Sequence, residues 1–275
     1  MIFVKNNQFA SAYLRADQIA EKLHASAYLN ALPENISCET VVFVKDANPL
    51  VVRQAKESGC KVVYDPIDTF AYPERLKYKD WFKDVDTCIA YNKEMAGFLK
   101  SWFKNVVIIP HHWDARINSK CEMDKFRPGY IGHSFNCPSI VSGSGVAMIS
   151  DPKDMMGWAA NFNCHISIRN TGSLESKMKP ATKVSLAAAV GAVIITSPDA
   201  SVVELLPKEY PYWCSSIAQF PKILDMAKNE FGTFTWCRAL EMLADVRNKT
   251  SIDAVSNLYQ QLNAAPDSAP IVQKA

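Results

Sequence analysis

Residues 176–206 read SKMKPATKVSLAAAVGAVIITSPDASVVELL, and this stretch gives the clearest indication of the fold class. After Pro180 comes a run of small and apolar residues that predicts a closely packed helix, which Gly191 is placed to end. The residues AVIIT then predict a short buried strand. A helix followed by a buried strand is one repeat of an open α/β sheet. Ligands of such sheets bind outside the carboxyl ends of the strands.

Strand and helix patterns alternate along the rest of the chain. Apolar runs predict strands at 2–4, 40–45, 61–65, 86–91 and 105–110, with helices over 12–29, 48–59 and 92–104 between them. The polar segment 111–129 is interpreted as a linker, and a second alternation follows it, ending in helices over 234–250 and 251–265. Strands separated by helices predict parallel, doubly wound sheets. We expect an N-terminal domain over 1–122, a C-terminal domain over 123–263 and a tail over 264–275.

The composition is that of a globular chain. It has 275 residues, of which 48% are hydrophobic and 21% charged, and its formal net charge is +2, so no broad basic or acidic surface is expected. The eight cysteines never form a C-x-x-C pair, which indicates a reducing compartment rather than a disulfide framework or a zinc site. No run approaches the roughly 18 apolar residues of a membrane span. We therefore expect a cytoplasmic protein without a transmembrane segment or a metal.

Several local patterns carry a family resemblance. The Lys-Pro-x-x-Lys opening at 179–183, the glycine at 191 and the later Glu-Leu resemble the donor-binding segment of retaining, family-4-like GT-B glycosyltransferases. The runs SAYLRADQIAEKL, KVVYDPID and the segment 89–114 are similar to parts of the N-terminal domain of such enzymes. Leu186, five residues before Gly191, stands where these enzymes usually carry the glutamate that holds the nucleotide ribose.

The resemblance implies a fold and an activity. It implies an α/β chain of two Rossmann-like domains facing across a cleft, the GT-B plan, with the donor held by the second domain. The implied activity is transfer of a hexosyl or pentosyl group from a nucleotide-sugar, of UDP type, to an acceptor hydroxyl. The nucleotide-sugar is a co-substrate, so no cofactor is expected, and the reaction is expected to be metal-independent with retention of configuration.

The donor site is predicted from the charge that it must stabilise. A nucleotide-sugar leaves as a nucleoside diphosphate, and cations together with helix N-terminal N–H groups stabilise that charge. Lys179 and Lys183 lie four residues apart at a helix start, so both side chains can reach one face. Glu204 is expected to be the first residue of a short helix after the strand over 192–196. The predicted donor-binding residues are Arg169, Lys177, Lys179, Thr182, Lys183 and Glu204.

The first domain offers candidates for catalysis and acceptor binding. Asp65 and Asp68 follow a strand and are of the right type for a general base, although capping of the next turn explains them equally well. His111, the first residue of the linker, joins them as a catalytic candidate. Asn7, Ser11 and Arg15 surround the loop after the first strand and are predicted to contact phosphate or acceptor.

The sequence leaves the acceptor and the partners open. A glycan, a lipid-linked glycan and a modified nucleobase in DNA are all compatible with the resemblance. Basic and aromatic residues interleave over 70–83, which predicts peripheral contact with a membrane surface, although a partly buried helix explains them too. The alternative function is a catalytically degenerate GT-B module that binds a nucleotide or a protein partner without turnover.

Overall fold

The computed structural model describes residues 1–6, 10–36, 40–72, 80–150, 155–170 and 172–264. Contacts divide the chain into two compact units. Unit 1 comprises Met1–His112, Lys177–Pro180 and Ile252–Ala275, and unit 2 comprises Trp113–Ser176 and Ala181–Ser251. The sequence-based boundary lies ten residues later, between 122 and 123, and assigns 252–263 to the second domain.

Unit 1 is built on a six-stranded parallel sheet with the strand order β2-β1-β3-β4-β5-β6. Its strands are β1 (Ile2–Lys5), β2 (Ser26–Leu29), β3 (Thr40–Val44), β4 (Lys61–Asp65), β5 (Thr87–Ala90) and β6 (Val106–Ile108). Every residue of β3 and β5 is buried, as expected of central parallel strands that helices cover on both faces. All five predicted strands of this half of the chain are confirmed.

The helices of unit 1 begin where the sequence supplies capping side chains. Asn48 accepts the N–H of Leu50 at the start of α3 (Pro49–Glu57), and Asn92 accepts the N–H of Met95 at the start of α4 (Lys93–Leu99). The first helix runs as α1 (Ala10–Ala12), a π-helical segment (Tyr13–Gln18) and α2 (Ile19–Lys22). The last helix, α12 (Ile252–Ala264), also belongs to unit 1.

The predicted helix over 12–29 is wrong in its second half. Residues Ser26–Leu29 form β2, which pairs in parallel with β1, and the helix ends at Lys22. The sequence SAYL continues the apolar spacing of the helix, so periodicity alone does not separate the two elements. Pairing with the backbone of β1 decides the conformation here, at the edge of the sheet.

An aromatic cluster fills one part of the unit 1 core. Trp81 and Phe82 pack against Tyr64, with ring centroids 4.8 and 6.1 Å from it, and each is 7% exposed. These two side chains of the predicted membrane-contact segment 70–83 therefore lie in the core. The basic residues Arg75, Lys77 and Lys79 of that segment fall outside the described residues, so peripheral membrane contact stays a prediction.

Unit 2 is built on a four-stranded parallel sheet with the order β10-β9-β7-β8. Its strands are β7 (Pro128–Ile131), β8 (Ala147–Ile149), β9 (Cys164–Ser167) and β10 (Val193–Thr196). Its helices are α5 (Ser139–Ser142), α6 (Met155–Trp158), α8 (Thr182–Val190), α9 (Ala200–Val203), α10 (Phe220–Asn229) and α11 (Phe234–Lys249). A further helix, α7 (Leu174–Met178), spans the boundary at which the chain leaves unit 2 after Ser176 and enters unit 1 at Lys177.

The stretch 176–206 folds largely as its sequence predicts. The residues Val184 to Val190 of α8 are all buried, and Gly191 ends the helix in the left-handed conformation at φ 76°. The strand β10 follows and is buried throughout. The expected position of Glu204 is wrong, because α9 begins at Ala200 and Glu204 follows its last residue. The α/β fold class, with parallel sheets, is confirmed.

Among the described residues, no helix combines the length and apolar character needed to cross a bilayer. The cysteines of the described ranges are all free thiols, and four of them (Cys60, Cys88, Cys164 and Cys214) are buried.

Candidate functional site

The sheet of unit 2 has a topological switch point between β7 and β9. From β7 the chain first moves to β8 on one side, and β9 and β10 are then added on the other. In parallel sheets of this kind, the crevice at the switch point, outside the carboxyl ends of the strands, is where ligands bind. Gly132 follows β7 at this edge, Arg169 lies just beyond β9, and Ser197 follows β10.

Lys183 reaches the carboxyl end of β7 from the first turn of α8. Its Nζ lies 3.7 Å from the centroid of the Tyr130 ring, a close cation–π contact. A Cβ built on Gly132 would lie 3.0 Å from that Nζ, and Gly132 has φ 149°, so this position favours glycine on both counts. The ammonium group of Lys183 and the N-terminus of α8 therefore bring positive charge to the switch point.

Arg169 is fixed by a network at the ends of β9 and β10. Its backbone N–H donates to Ser197 Oγ at 3.0 Å, and its Nη1 donates to Asp199 Oδ2 at 2.7 Å. Burial raises the pKa of Asp199, although the charge of Arg169 opposes that shift. The guanidinium group is thus held at the same edge of the sheet as Lys183.

The other predicted donor residues lie elsewhere in the two units. Lys177 pairs with Glu94 at 2.9 Å, and Lys179 lies over the ring of Tyr72 at 5.3 Å, and all four of these residues belong to unit 1. Thr182 is the first residue of α8. Glu204 is exposed beyond the end of α9. Lys183 and Arg169 are therefore the predicted donor residues that contact the carboxyl ends of the unit 2 strands.

In unit 1, Asp65 is the centre of a fully buried polar cluster. Its Oδ2 accepts from Arg15 Nε at 2.8 Å and from the Tyr259 hydroxyl at 2.5 Å, and its Oδ1 accepts from the Tyr91 hydroxyl. Arg15 also donates from Nη1 to the carbonyl of Pro110 at 2.8 Å. Asp65 and Arg15 are both 0% exposed and form a buried ion pair. The cluster as a whole connects β4, the first helix, the residue after β5 and α12.

The electrostatics of this cluster keep Asp65 ionised. Burial by itself would raise the pKa of Asp65, but the charge of Arg15 and the hydrogen bonds from Tyr259 and Tyr91 outweigh burial and hold the pKa below its ordinary value. Burial likewise disfavours the charge on Arg15, and Asp65 outweighs it, so that the pKa of Arg15 is raised. A carboxylate with a lowered pKa and several donors is a weak base.

His111 and His112 are buried next to this cluster. Burial and the positive charge of Arg15 lower the pKa of His111 to about 4, and burial lowers the pKa of His112 as well. His111 Nδ1 lies 2.9 Å from the backbone oxygen of His112, and His112 Nε2 lies 3.2 Å from Gln18 Oε1. Both imidazoles are therefore neutral at pH 7. Within the described ranges, no group of three or more side chains is arranged to bind a metal ion.

A second polar group lies at the carboxyl edge of the unit 1 sheet. Lys45, directly after β3, donates from Nζ to Ser11 Oγ at 3.3 Å and forms an ion pair with Asp68 Oδ1 at 3.4 Å. Ser11 and Asp68, two residues that the sequence predicts for the site, are thus brought together by a lysine that it did not indicate. Asn7 falls outside the described residues.

Sequence reasoning missed five residues of these sites: Lys45, Tyr91, Tyr130, Gly132 and Tyr259. The tyrosines resemble ordinary core residues in the sequence, and only their partners give them a polar function. Gly132, directly after the apolar residues Tyr130 and Ile131, did carry a signal, because a glycine at the end of a strand often permits close approach of another group.

Solved structures of GT-B glycosyltransferases match nearly the whole chain, and the chain therefore has the GT-B glycosyltransferase fold. No protein-family model matches the chain, and no curated protein matches it.

Three solved structures illustrate the likeness. HepE of Anabaena, in complex with UDP and glucose, has 7% identity and a TM-score of 0.66, covering 96% of this chain and 99% of its own. An alpha-glucosyltransferase, in complex with UDP-glucose and DNA containing an abasic site, has 8% identity and a TM-score of 0.64, covering 96% and 98%. The GtfA/B complex has 9% identity and a TM-score of 0.55, covering 82% of this chain, which spans 56% of the matched GtfA/B chain.

Proposed function

We propose that the chain is a nucleotide-sugar-dependent glycosyltransferase whose donor diphosphate binds at the switch point of unit 2. The observation that carries the proposal is the approach of Lys183 to Gly132 at the carboxyl end of β7. Two solved structures of the same fold contain UDP or UDP-glucose, which makes UDP the first nucleotide to test.

The proposed chemistry requires stabilisation of a departing diphosphate. The bond between the anomeric carbon and the β-phosphate oxygen breaks, and a bond from that carbon to the acceptor hydroxyl oxygen forms. The hydroxyl proton passes to the departing β-phosphate oxygen. The electron pair of the broken bond stays on the diphosphate. Lys183, Arg169 and the N–H groups at the start of α8 are suited to stabilise that charge without a metal.

The finer features of the reaction rest on the sequence resemblance. Retention of configuration, and transfer of a hexosyl or pentosyl group, are proposed on that ground. Lys177, Lys179, Thr182 and Glu204 stay predictions for donor contacts, and Asp65, Asp68 and His111 stay predictions for catalysis. The acceptor is proposed to be a hydroxyl of a glycan, a lipid-linked glycan or a modified nucleobase.

Calorimetric titration of UDP into the full chain tests the donor site. We expect Lys183→Met to weaken UDP binding at least tenfold, about 1.4 kcal/mol, because a cation next to the diphosphate is lost. Lys228→Met, on the exposed side of α10, removes a lysine of the same unit and is expected to leave affinity unchanged. Equal affinity of the parent and Lys183→Met would remove the switch point from the donor site.

A second candidate is a degenerate module that binds nucleotide without turnover. The buried position of Leu186 in α8 favours it, because an apolar side chain there cannot make the ribose contact that a glutamate makes. Tight UDP binding together with neither transfer nor hydrolysis of UDP-glucose would support this alternative. Release of glucose from UDP-glucose would support the enzyme.

A further inference from the structure

The carboxyl edge of the unit 1 sheet has the layout of a ligand site. Its switch point lies between β1 and β3, because the chain moves from β1 to β2 on one side and then to β3 on the other. Lys5, Val44 and Asp65 are paired in register across β1, β3 and β4, so these three strands end level with one another. Lys45 is the next residue after β3.

The backbone at this edge is strained at two places. Lys45 has φ 69° and Ile67 has φ 51°, both in the left-handed region that residues other than glycine rarely adopt. For Ile67 the strain is larger, because its side chain is β-branched. The N–H of Lys45 donates to the carbonyl of Asp65 at 2.7 Å, and this hydrogen bond holds the backbone of Lys45 against the end of β4. Strained residues of this kind cluster at ligand sites, where surrounding structure holds them.

The side chains at this edge offer a donor and an acceptor next to each other. The Nζ of Lys45 lies between Ser11 Oγ and Asp68 Oδ1, at 3.3 and 3.4 Å. Asp68 Oδ1 is buried and has no hydrogen bond from the described residues, and the ammonium group of Lys45 is its ion-pair partner. The side chains of Lys45 and Asp68 are 12% and 23% exposed, so a small group can reach both side chains at atoms other than Asp68 Oδ1.

The balance of positive and negative charges at this edge indicates which class of ligand can bind there. Among the described side chains at this edge, Lys45 is paired with Asp68, Lys5 with Asp17 and Arg15 with Asp65, and Asp46 accepts from Thr69. These groups comprise three cations and four carboxylates. An anionic group would meet this excess of carboxylates, whereas an uncharged hydroxyl can donate to a carboxylate and accept from an ammonium group at once.

We propose that Lys45, Asp68 and Ser11 bind hydroxyl groups of an uncharged carbohydrate, which makes a glycan rather than DNA the acceptor. The proposal rests on the glycosyltransferase function above. It names the acceptor class from the side chains of unit 1 alone, and donor binding by unit 2 can be measured separately.

Saturation-transfer NMR on the full chain tests the proposal. The probes are glucose, galactose, mannose, N-acetylglucosamine, maltose and cellobiose, each with and without UDP, and a duplex containing 5-hydroxymethylcytosine. We expect at least one sugar to bind the parent. We also expect Lys45→Met and Asp68→Asn each to weaken that binding at least tenfold, with UDP affinity unchanged. Ser11→Ala is a milder variant for the case in which either of them fails to fold.

A matched control is the pair Lys56–Asp86 of the same unit, with Nζ and Oδ1 2.5 Å apart. Asp86 directly precedes β5, so this pair lies at the amino edge of the sheet, and Lys56→Met is expected to leave sugar binding unchanged. Equal sugar binding by the parent, Lys45→Met and Asp68→Asn would overturn the proposal. So would binding of the duplex, but of no sugar, by a parent that binds UDP. If the parent itself does not bind UDP, that result would instead contradict the proposed function.

Discussion

The hydroxyl of Tyr259 donates to Oδ2 of Asp65 at 2.5 Å, joining residues 194 positions apart in the sequence. This hydrogen bond attaches α12 to the end of β4. We expect Tyr259→Phe to lower the free energy of unfolding by about 2 kcal/mol, because a buried carboxylate loses one of its donors. Urea denaturation followed by circular dichroism measures the change. Tyr28→Phe, on the edge strand β2, is the control and is expected to change stability by less than about 0.5 kcal/mol.

The ion pair between Arg15 and Asp65 is expected to be costly to break from one side. Arg15→Met leaves a buried carboxylate without its cation, and we expect a loss of about 3–5 kcal/mol in the free energy of unfolding. In Arg15→Met/Asp65→Asn the uncompensated charge is removed as well, so part of the stability should return. A double variant that loses as much as the sum of the two single variants would show that the two charges do not interact.

Buried histidines predict a loss of stability in mild acid. His111 and His165 have pKa values lowered to about 4, primarily by burial, against about 6.5 in the unfolded chain. Between these values the unfolded state binds more protons than the folded state, so stability falls as the pH decreases from 6.5 toward 4. Between pH 7 and pH 5 each histidine should account for about 2 kcal/mol.

Thermal unfolding of His165→Gln at a series of pH values tests this expectation. The variant should lose less stability than the parent between pH 7 and pH 5, because one titrating group is absent. His133→Gln replaces an exposed histidine of the same unit and should follow the parent. An unchanged slope for His165→Gln would mean that His165 titrates alike in both states.

Gly132 and Gly145 form a matched pair for testing the approach of Lys183. Both have positive φ, at 149° and 74°, but a Cβ on Gly132 would meet Lys183 Nζ at 3.0 Å, while a Cβ on Gly145 would meet nothing within 4 Å. Both Gly→Ala variants should lose stability through backbone strain. We expect Gly132→Ala alone to weaken UDP binding, at least tenfold by calorimetry, because Lys183 must move. Equal UDP affinity in the two variants would contradict this.

The sequence predicted elements better than it predicted contacts. Asn48, Asn92 and Gly191 mark helix ends by local chemistry, and the structure has them there. The strand β2 was missed because its conformation depends on β1, and the site residue Glu204 was misplaced because α9 begins four residues earlier than expected.

The candidate sites depend on partners that are remote in sequence. Arg15 was expected to contact a ligand, yet it is fully buried against Asp65, 50 residues away. Lys45 carries no local signal, because its importance comes from the parallel alignment of β1, β3 and β4. Lys183, in contrast, lies in a motif that the sequence shows directly, and with Arg169 it is one of two predicted donor residues that lie at the carboxyl edge of the unit 2 sheet.

The return of α12 to unit 1 has a consequence for the order in which the chain acquires structure. The ribosome synthesises Arg15 and Asp65 early, whereas Tyr259 is added only after every residue of unit 2. During that interval unit 2 has its complete complement of residues, and unit 1 does not. The nascent chain must therefore carry an unfinished first unit, with Phe3 lacking the Tyr259 ring that covers it at 5.6 Å. During that interval the uncovered apolar surface of unit 1 is open to recognition by a chaperone or a protease.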